Sequence, residues 1–315
     1  MIYTITFNPA VDVVIGVDSL QLGGINRTTS QEIYYGGKGV NVSNVLRNLG
    51  RESTAWGFLA GTIGHAMQQS LIDSGLNCDF VMLPEGETRI NTKMRSFVGD
   101  GPITETALNA GGPTIDDASL AKPFEQLDHT VEGDIVIVSG GAPAGVAKDT
   151  YARILQALAG KDVRTVVDAT GSLLMNTLPY GPFLIKPNDE ELAEIVDCDP
   201  DDYDRLVHAA LDLHEKGAVN VLVSRGGKGA FLVDEFGKLH DMAPFAGTLV
   251  NSVGAGDSTV AGFVHGYLEG KEQNLSPDDV YERAFTMSQA CGAATAFSPG
   301  LAARETVEEL LARLR

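Results

Sequence analysis

The sequence predicts an α/β protein: a mostly parallel central sheet covered by helices on both faces, with a small antiparallel sheet beside it. Two observations carry this expectation. Short β-branched runs end at Gly, Asp, Asn or Pro and lead into helical stretches, so strands alternate with helices. Two segments, about 13–35 and 88–108, break that rhythm and read as consecutive strands with no helix between them, with alternation such as RINTKMRSF. With no internal repeat or low-complexity linker, the 315 residues read as one domain carrying this accessory sheet as a lid.

In chain order, MIYTITFNPAVDVV opens as strand. Residues 32–35 read as strand before a helix over 40–49, which stops at Gly50, a residue suited to the position after a helix end. DIVIVS (134–139) precedes a helix over 149–159, RTVVD (164–168) is strand, and FLIK (183–186) precedes a helix over 189–196. VNVLVS (219–224) is a further strand. The helix following residue 258 carries Ala261, Gly262 and Gly266, small residues that permit close packing. The uncharged stretch 284–303 contains Ser, Thr, Gln and Pro and is rich in Ala, so it reads as a buried helix ending in a loop, not a membrane span.

Charge excludes whole classes of function. There are 42 Asp and Glu against 23 Lys and Arg, a net charge of −19, with a pI near 4.6. A nucleic-acid binder needs a basic face for phosphates, and a peripheral protein of anionic membranes needs the same. The N-terminus has no basic segment or cleavage site, and Cys78, Cys198 and Cys291 lie far apart without CxxC spacing. A cytoplasmic protein with free thiols is expected. The six histidines form no metal-binding pattern.

Three glycine-rich elements could carry chemistry. Gly36-Gly37-Lys38-Gly39-Val40-Asn41 lies at a strand-to-helix turn, where glycines admit a ligand to the backbone and a helix start attracts an anion. Lys38 and Asn41 would face such a ligand, although a plain turn also explains the glycines. In Asn251-Ser252-Val253-Gly254-Ala255-Gly256-Asp257-Ser258, the Gly-Ala-Gly run presents successive N–H groups to a phosphoryl group with developing charge. A carboxylate beside them, Asp257, is costly unless it accepts a proton from a substrate hydroxyl. The competing explanation is that Asp257 caps its helix. Neither loop fits GxxxxGK[ST] or GxGxxG, so a P-loop NTPase and a nicotinamide-dependent oxidoreductase fit poorly. Ser224-Arg225-Gly226-Gly227-Lys228-Gly229, between two strand-like runs, is compatible with a hairpin turn or a nucleotide contact.

Taken in order, N-P-A-V-D (8–12), G-G-K-G-V-N (36–41), T-R-I-N-T-K (88–93), S-G-G-A-P-A-G (139–145), K-P-N-D-E-E (186–191) and V-G-A-G-D-S (253–258) resemble the ribokinase/PfkB family of carbohydrate kinases. The resemblance spans nearly the whole chain. It implies a ribokinase-like three-layer αβα sandwich with a β lid, and transfer of phosphate from ATP, with Mg²⁺, to a sugar phosphate. Fructose 1-phosphate is the expected acceptor, with tagatose 6-phosphate and fructose 6-phosphate as alternatives. A binding protein without catalysis is the rival from another class, but it has no use for a base.

The resemblance also implies roles. Asp257 looks like the catalytic base, and Gly254, Ala255 and Gly256 the anion hole. Asp12 would hold sugar hydroxyls. Gly36, Gly37, Lys38 and Asn41 would contact the sugar, with Lys38 near its phosphate, while Arg89, Asn91, Arg27 and Lys93 on the lid would anchor the phosphorylated end. Lys186 and Asn188 would line the nucleotide side, with Ser224, Arg225, Gly226, Gly227 and Gly229 along the nucleotide, and Glu191 would orient Mg²⁺ and its waters. Gly141 and Ala142 stand where Ser and Leu are usual in this branch, and Arg225 replaces a customary Leu. Pairing of two subunits through the lid, protecting its edges, is the expected assembly.

Overall fold

A computed structural model of the chain describes residues 1–96, 104–143 and 145–314. β1 (Ile2–Thr6) and β2 (Ala10–Val17) are followed by β3 (Ser30–Gly36) and α1 (Lys38–Asn48). Next come β4 (Thr54–Ala60), α2 (Gly61–Asp73), β5 (Asn77–Leu83), β6 (Arg89–Ser96) and β7 (Thr104–Leu108). The middle of the chain forms α3 (Asp117–Leu127), β8 (Ile135–Ser139), α4 (Thr150–Leu158), β9 (Arg164–Asp168), α5 (Gly171–Met175), β10 (Leu184–Ile185) and α6 (Asp189–Val196). The remainder is α7 (Tyr203–Glu215), β11 (Val221–Ser224), β12 (Ala230–Val233), β13 (Leu239–Met242), α8 (Ala255–Glu272), α9 (Pro277–Ala296) and α10 (Arg304–Ala312).

Nine strands form the main sheet in the order β13-β12-β11-β10-β9-β8-β1-β4-β5. All its pairings are parallel except those of β12, which runs antiparallel to β11 and to β13. The strand β8 explains the β-branched pattern: all five of its residues are buried, because both faces are covered. Val136 and Val138 join a core with Tyr151 and Leu155 of α4 and Leu206 of α7. Ile135 and Ile137 join the opposite core with Val42 of α1, Phe263 of α8 and Phe285 of α9. Alternation with period two thus feeds two helical layers, giving the three-layer architecture expected.

The small residues of α8 have the expected use. A Cβ at Gly262 would lie 2.6 Å from the carbonyl oxygen of Met287, and one at Gly266 would lie 2.9 Å from Cα of Ala284. The stretch read as a buried helix ending in a loop is the C-terminal part of α9 and the segment after it. Among the described residues, no helix is long and apolar enough to cross a membrane.

The second sheet has the order β3-β2-β6-β7. Its outer pairs are antiparallel as expected, but the central pair, β2 with β6, is parallel, setting Asp12 beside Asn91. The chain leaves along β2 and returns on β3, then leaves again along β6 and returns on β7. The two outgoing strands are neighbours, and neighbours with the same direction must pair in parallel. Residues 97–103, within the second expected lid segment, lie outside the described residues, as does Ala144 of the S-G-G-A-P-A-G motif. Register places Asp12, Tyr34, Asn91, Lys93 and Arg95 on one face of this sheet, and Val11, Val13, Ile33, Ile90 and Leu108 on the other.

Candidate active site

The carboxyl ends of β1, β8 and β9 lie side by side, with Thr6 in register with Ser139 and Ser139 with Asp168. Such ends of parallel strands form the crevice where α/β proteins hold ligands. Asp168 is 1% exposed. Its Oδ1 lies 3.3 Å from Lys38 Nζ, at the start of α1, and 3.4 Å from Lys186 Nζ, just beyond β10. Burial alone would raise the Asp168 carboxyl, but Lys186 and Lys38 hold it below the usual range. Its other oxygen is buried with no partner among the described residues. Burial would lower Lys38, yet Asp168, Asp257 and Glu191 raise it, so it stays charged.

Across from this trio stands Asp257, also buried. Asn41 Nδ2 of α1 donates to Asp257 Oδ2 at 2.7 Å, linking α1 to α8. Burial, helped by the charge of Asp168, pushes the Asp257 carboxyl up to about 6, against the opposing pull of Asn41, Lys38 and Lys186. Asp257 is not a helix cap. Gly254 holds that position, and Asp257 is the third residue of α8 with no capping bond.

Gly254 has φ +81°, a left-handed conformation that favours glycine. Ala255 N–H reaches Ser252 O at 3.3 Å, while the next two N–H groups of α8 have no acceptor among the described residues. Donors of this kind at a helix start suit an anion. The Lys186 ammonium lies 3.3 Å from where a Cβ on Gly256 would be, so the cation sits under these donors. At the other glycine-rich turn, Gly37 has φ +131°, and a Cβ there would lie 2.8 Å from Thr6 Cγ2. With the chain reversal absorbed at Gly37, α1 begins at Lys38, two residues before the expected start.

On the opposite flank, α6 starts with a capping box. Asn188 Oδ1 accepts from Glu191 N–H at 2.7 Å, and Glu191 Oε2 accepts from Asn188 N–H at 2.9 Å. One oxygen of Glu191 remains without a hydrogen bond among the described residues. The segment Ser224 to Gly229 is the β11–β12 hairpin turn, so the plain reading of it is structurally correct. It is also adjacent to Asn188, since Ser224 N–H donates to Pro187 O at 3.2 Å and Ser224 bridges Asn188. Gly226 and Gly227 have open space where a side chain would be, and the Arg225 guanidinium lies 4.9 Å from the Tyr203 ring centroid.

Beneath the second sheet lies a cavity of about 280 Å³, lined by Asp12 and Lys93 from that sheet and by Gly36, Asn41, Asn251 and Val253. Asp12 Oδ1 accepts from Asn91 Nδ2 at 2.8 Å, and its Oδ2 is 3.9 Å from Lys93 Nζ. The expected sugar-side residues divide here. Arg89 donates to the carbonyls of Asn8 and Ala110, and Lys38 faces Asp168, so neither lines this cavity. Arg27 also lies outside it, on the exposed loop between β2 and β3 beyond the end of β2. Three functional candidates escaped the sequence reading. Asp168 could have been found as the acid ending RTVVD at the mouth of a parallel sheet. Arg47 and Arg95, which line the cavity, carried no motif.

A buried carboxylate of raised pKa, facing open N–H donors and a paired lysine, is an arrangement suited to phosphoryl transfer on an α/β fold. Residues 6–307 match the pfkB family of carbohydrate kinases, and the chain belongs to that family. Its fold is ribokinase-like. The chain is 38% identical over 315 residues to 1-phosphofructokinase of Bacillus subtilis, covering 100% of this chain and 99% of that protein. It is 33% identical to D-tagatose-1-phosphate kinase of Bacillus licheniformis over 96% of this chain and 94% of that one. Phosphofructokinase-2 of Escherichia coli, solved in complex with fructose-6-phosphate, superposes with a TM-score of 0.88 at 26% identity, covering 99% of this chain and 98% of that one.

Proposed function

We propose that the protein transfers the terminal phosphoryl group of ATP to fructose 1-phosphate, giving fructose 1,6-bisphosphate and ADP. The observation that carries this reading is Asp257, a buried carboxylate near pKa 6 beside open helix-start donors and hydrogen-bonded to Asn41, which lines the cavity. At neutral pH such a group is mostly ionised yet basic enough to take a hydroxyl proton. The sugar lies under the second sheet with its hydroxyls on Asp12 and Asn91, and its accepting hydroxyl reaches Asp257. The N–H groups at Gly254, Ala255 and Gly256, with Lys186, stabilise charge on the transferred group. Asn188 and the Ser224–Gly229 turn, with Arg225, flank the nucleotide.

Mg²⁺ fits the donor set, because it takes one or two carboxylates along with phosphates and water. The candidate oxygens are the free one of Glu191 and the orphaned Oδ2 of Asp168. Bound there, the ion would neutralise phosphate charge. The second sheet acts as a lid that excludes water and so prevents wasteful hydrolysis.

The substrate is supported by the high identity to a 1-phosphofructokinase, and D-tagatose 1-phosphate is the second reading, favoured by the similarity to a kinase named for it. ADP release with ATP and Mg²⁺ across fructose 1-phosphate, tagatose 1-phosphate, fructose 6-phosphate and fructose tests this. The highest kcat/KM is expected for fructose 1-phosphate, and a preference for fructose itself would overturn the reading. The lid also supports a homodimer, since Ile33, Ile90 and Leu108 are exposed on its face opposite Asp12. Light scattering at the monomer mass would defeat that assembly. Use of ATP and three free cysteines suit a cytoplasmic enzyme.

A further inference from the structure

Ser258 directly follows Asp257 but does not line the cavity beneath the second sheet. It is fully buried, as are Thr295, in the last turn of α9, and Ala302, one residue before the cap of α10. Three hydrogen bonds join these residues to the start of α8. Ala302 N–H donates to Thr295 Oγ1 at 2.8 Å, the Thr295 and Ser258 hydroxyls lie 2.6 Å apart, and Ser258 Oγ donates to the carbonyl of Gly254 at 2.9 Å.

The direction of every proton in this chain follows by elimination. A carbonyl only accepts, so the single proton of the Ser258 hydroxyl goes to Gly254 O. Ser258 has none left for Thr295, so Thr295 donates to Ser258 while accepting from the Ala302 amide. The result is a one-way relay from Ala302 N–H through Thr295 O–H and Ser258 O–H to the Gly254 carbonyl, and bonds in such a series strengthen one another away from water.

Ser and Thr in helices commonly bond the carbonyl four residues back, and in most places that contact only satisfies the hydroxyl. Here the carbonyl belongs to Gly254, which also accepts from Ser258 N–H at 2.9 Å and begins α8 in the left-handed conformation. A trans peptide is planar, so its N–H points opposite to its C=O. Holding Gly254 O against Ser258 therefore aims the Ala255 N–H away from the helix, at the head of the open donors that follow it. The far end of the relay holds Ala302, which comes directly after the cavity-lining residues Pro299, Gly300 and Leu301. Leu301 in turn lies against the glycine, its Cδ2 2.5 Å from where a Cβ on Gly254 would be.

We propose that Ser258 and Thr295 are positioning residues, a hydroxyl pair that aims the anion-binding donors at the start of α8 and ties them to the 299–302 wall of the cavity. Neither residue lines the cavity, so both act through Gly254 and Ala302. This rests on the function proposed above and extends it from the reacting groups to what holds them in place.

The test is steady-state kinetics of Ser258→Ala, Thr295→Val and Thr295→Ser, with the melting temperature of each. Ser258→Ala and Thr295→Val both lower kcat ~10- to 100-fold well below melting, because misaimed donors lose transition-state stabilisation. Thr295→Ser keeps the relay and retains a kcat near that of wild type. KM for fructose 1-phosphate divides the first two: Thr295→Val frees the Ala302 amide and raises it, whereas Ser258→Ala leaves that bond in place and does not. Unchanged kcat in Ser258→Ala, even with earlier melting, overturns the proposal and leaves the pair as packing between α8 and α9. If Ser258→Ala does not fold, Thr295→Val against Thr295→Ser decides alone, and equal kcat in those two overturns the proposal. If wild type turns over no phosphorylated ketose, the proposed function fails instead, and orthovanadate with MgADP becomes the probe of the donors. Calorimetry then decides the pair: weaker vanadate binding by Ser258→Ala than by wild type supports it, and equal binding overturns it.

Discussion

Glu191 and Asp257 occupy the same position, third in a helix that begins at the mouth of the sheet, yet they are used in opposite ways. Glu191 turns back to its own backbone and closes a capping box with Asn188. Asp257 leaves its own helix start alone and accepts from Asn41 on another helix. The difference lies in the preceding cap. Asn188 has a side chain that takes one of the α6 donors, whereas Gly254 has none, so the first α8 donors remain open. An acid at the third position is therefore a capping device in one helix and, on the proposed function, the base in the other, according to what stands three residues before it.

The strongest way to break this comparison is Asp257→Asn. The amide keeps the shape but cannot accept a proton, so kcat should fall on the order of 10³-fold with KM for the sugar phosphate little changed. Steady-state kinetics check this, and near-normal turnover would return Asp257 to a structural role. Next in size is Gly254→Ala. Its left-handed backbone and a Cβ 2.5 Å from Leu301 Cδ2 force the α8 start to shift. A drop in stability of about 1–2 kcal/mol is expected by denaturant titration, together with a loss in kcat larger than that from a change of cap alone.

A smaller effect concerns pH. On the proposed function Asp257 must be ionised to accept the proton, and its carboxyl is raised to about 6. The ionised fraction falls as pH drops through that value, so kcat should decline on the acid side near pH 6. Asn41 donates to the charged form and opposes the rise. Asn41→Leu removes that donor, so the acid limb should move to higher pH. A limb that stays in place in this variant would mean that another group controls it.

Much of the main sheet was legible because its signals are local. RTVVD forms β9 and DEELAEIV forms α6 with the expected boundaries, since β-branched runs and an Asn cap act over a few residues. The parallel centre of the second sheet was not legible. It depends on Asp12 meeting Asn91, 79 residues away, and on the direction in which two separate excursions leave the core. Asp257 was visible because glycines surround it and a carboxylate there demands a reason. Asp168 was not, because an acid ending a strand looks like any strand terminator, and its meaning comes from Lys38, 130 residues distant, and from Lys186. The same distance effect redirected Lys38 and Arg89. Their motifs drew attention to cationic residues, but only the fold determines that one faces Asp168 and the other backbone carbonyls.

The subtlest prediction separates the two uses within Glu191 itself. Its carboxylate caps α6 with one oxygen and, on the proposed function, offers the other to Mg²⁺. In Glu191→Gln the amide oxygen can still accept from Asn188 N–H, so the box survives and thermal stability should hardly change. In Glu191→Ala the box is lost at a cost of about 1 kcal/mol. The metal contribution behaves differently, because a neutral amide is a weaker partner for a hard cation than a carboxylate. Both variants should therefore need more Mg²⁺ for half-maximal activity, while only Glu191→Ala melts earlier. A Gln variant with unchanged Mg²⁺ dependence would leave Glu191 with the cap alone, and the contrast with Asp257 would become complete.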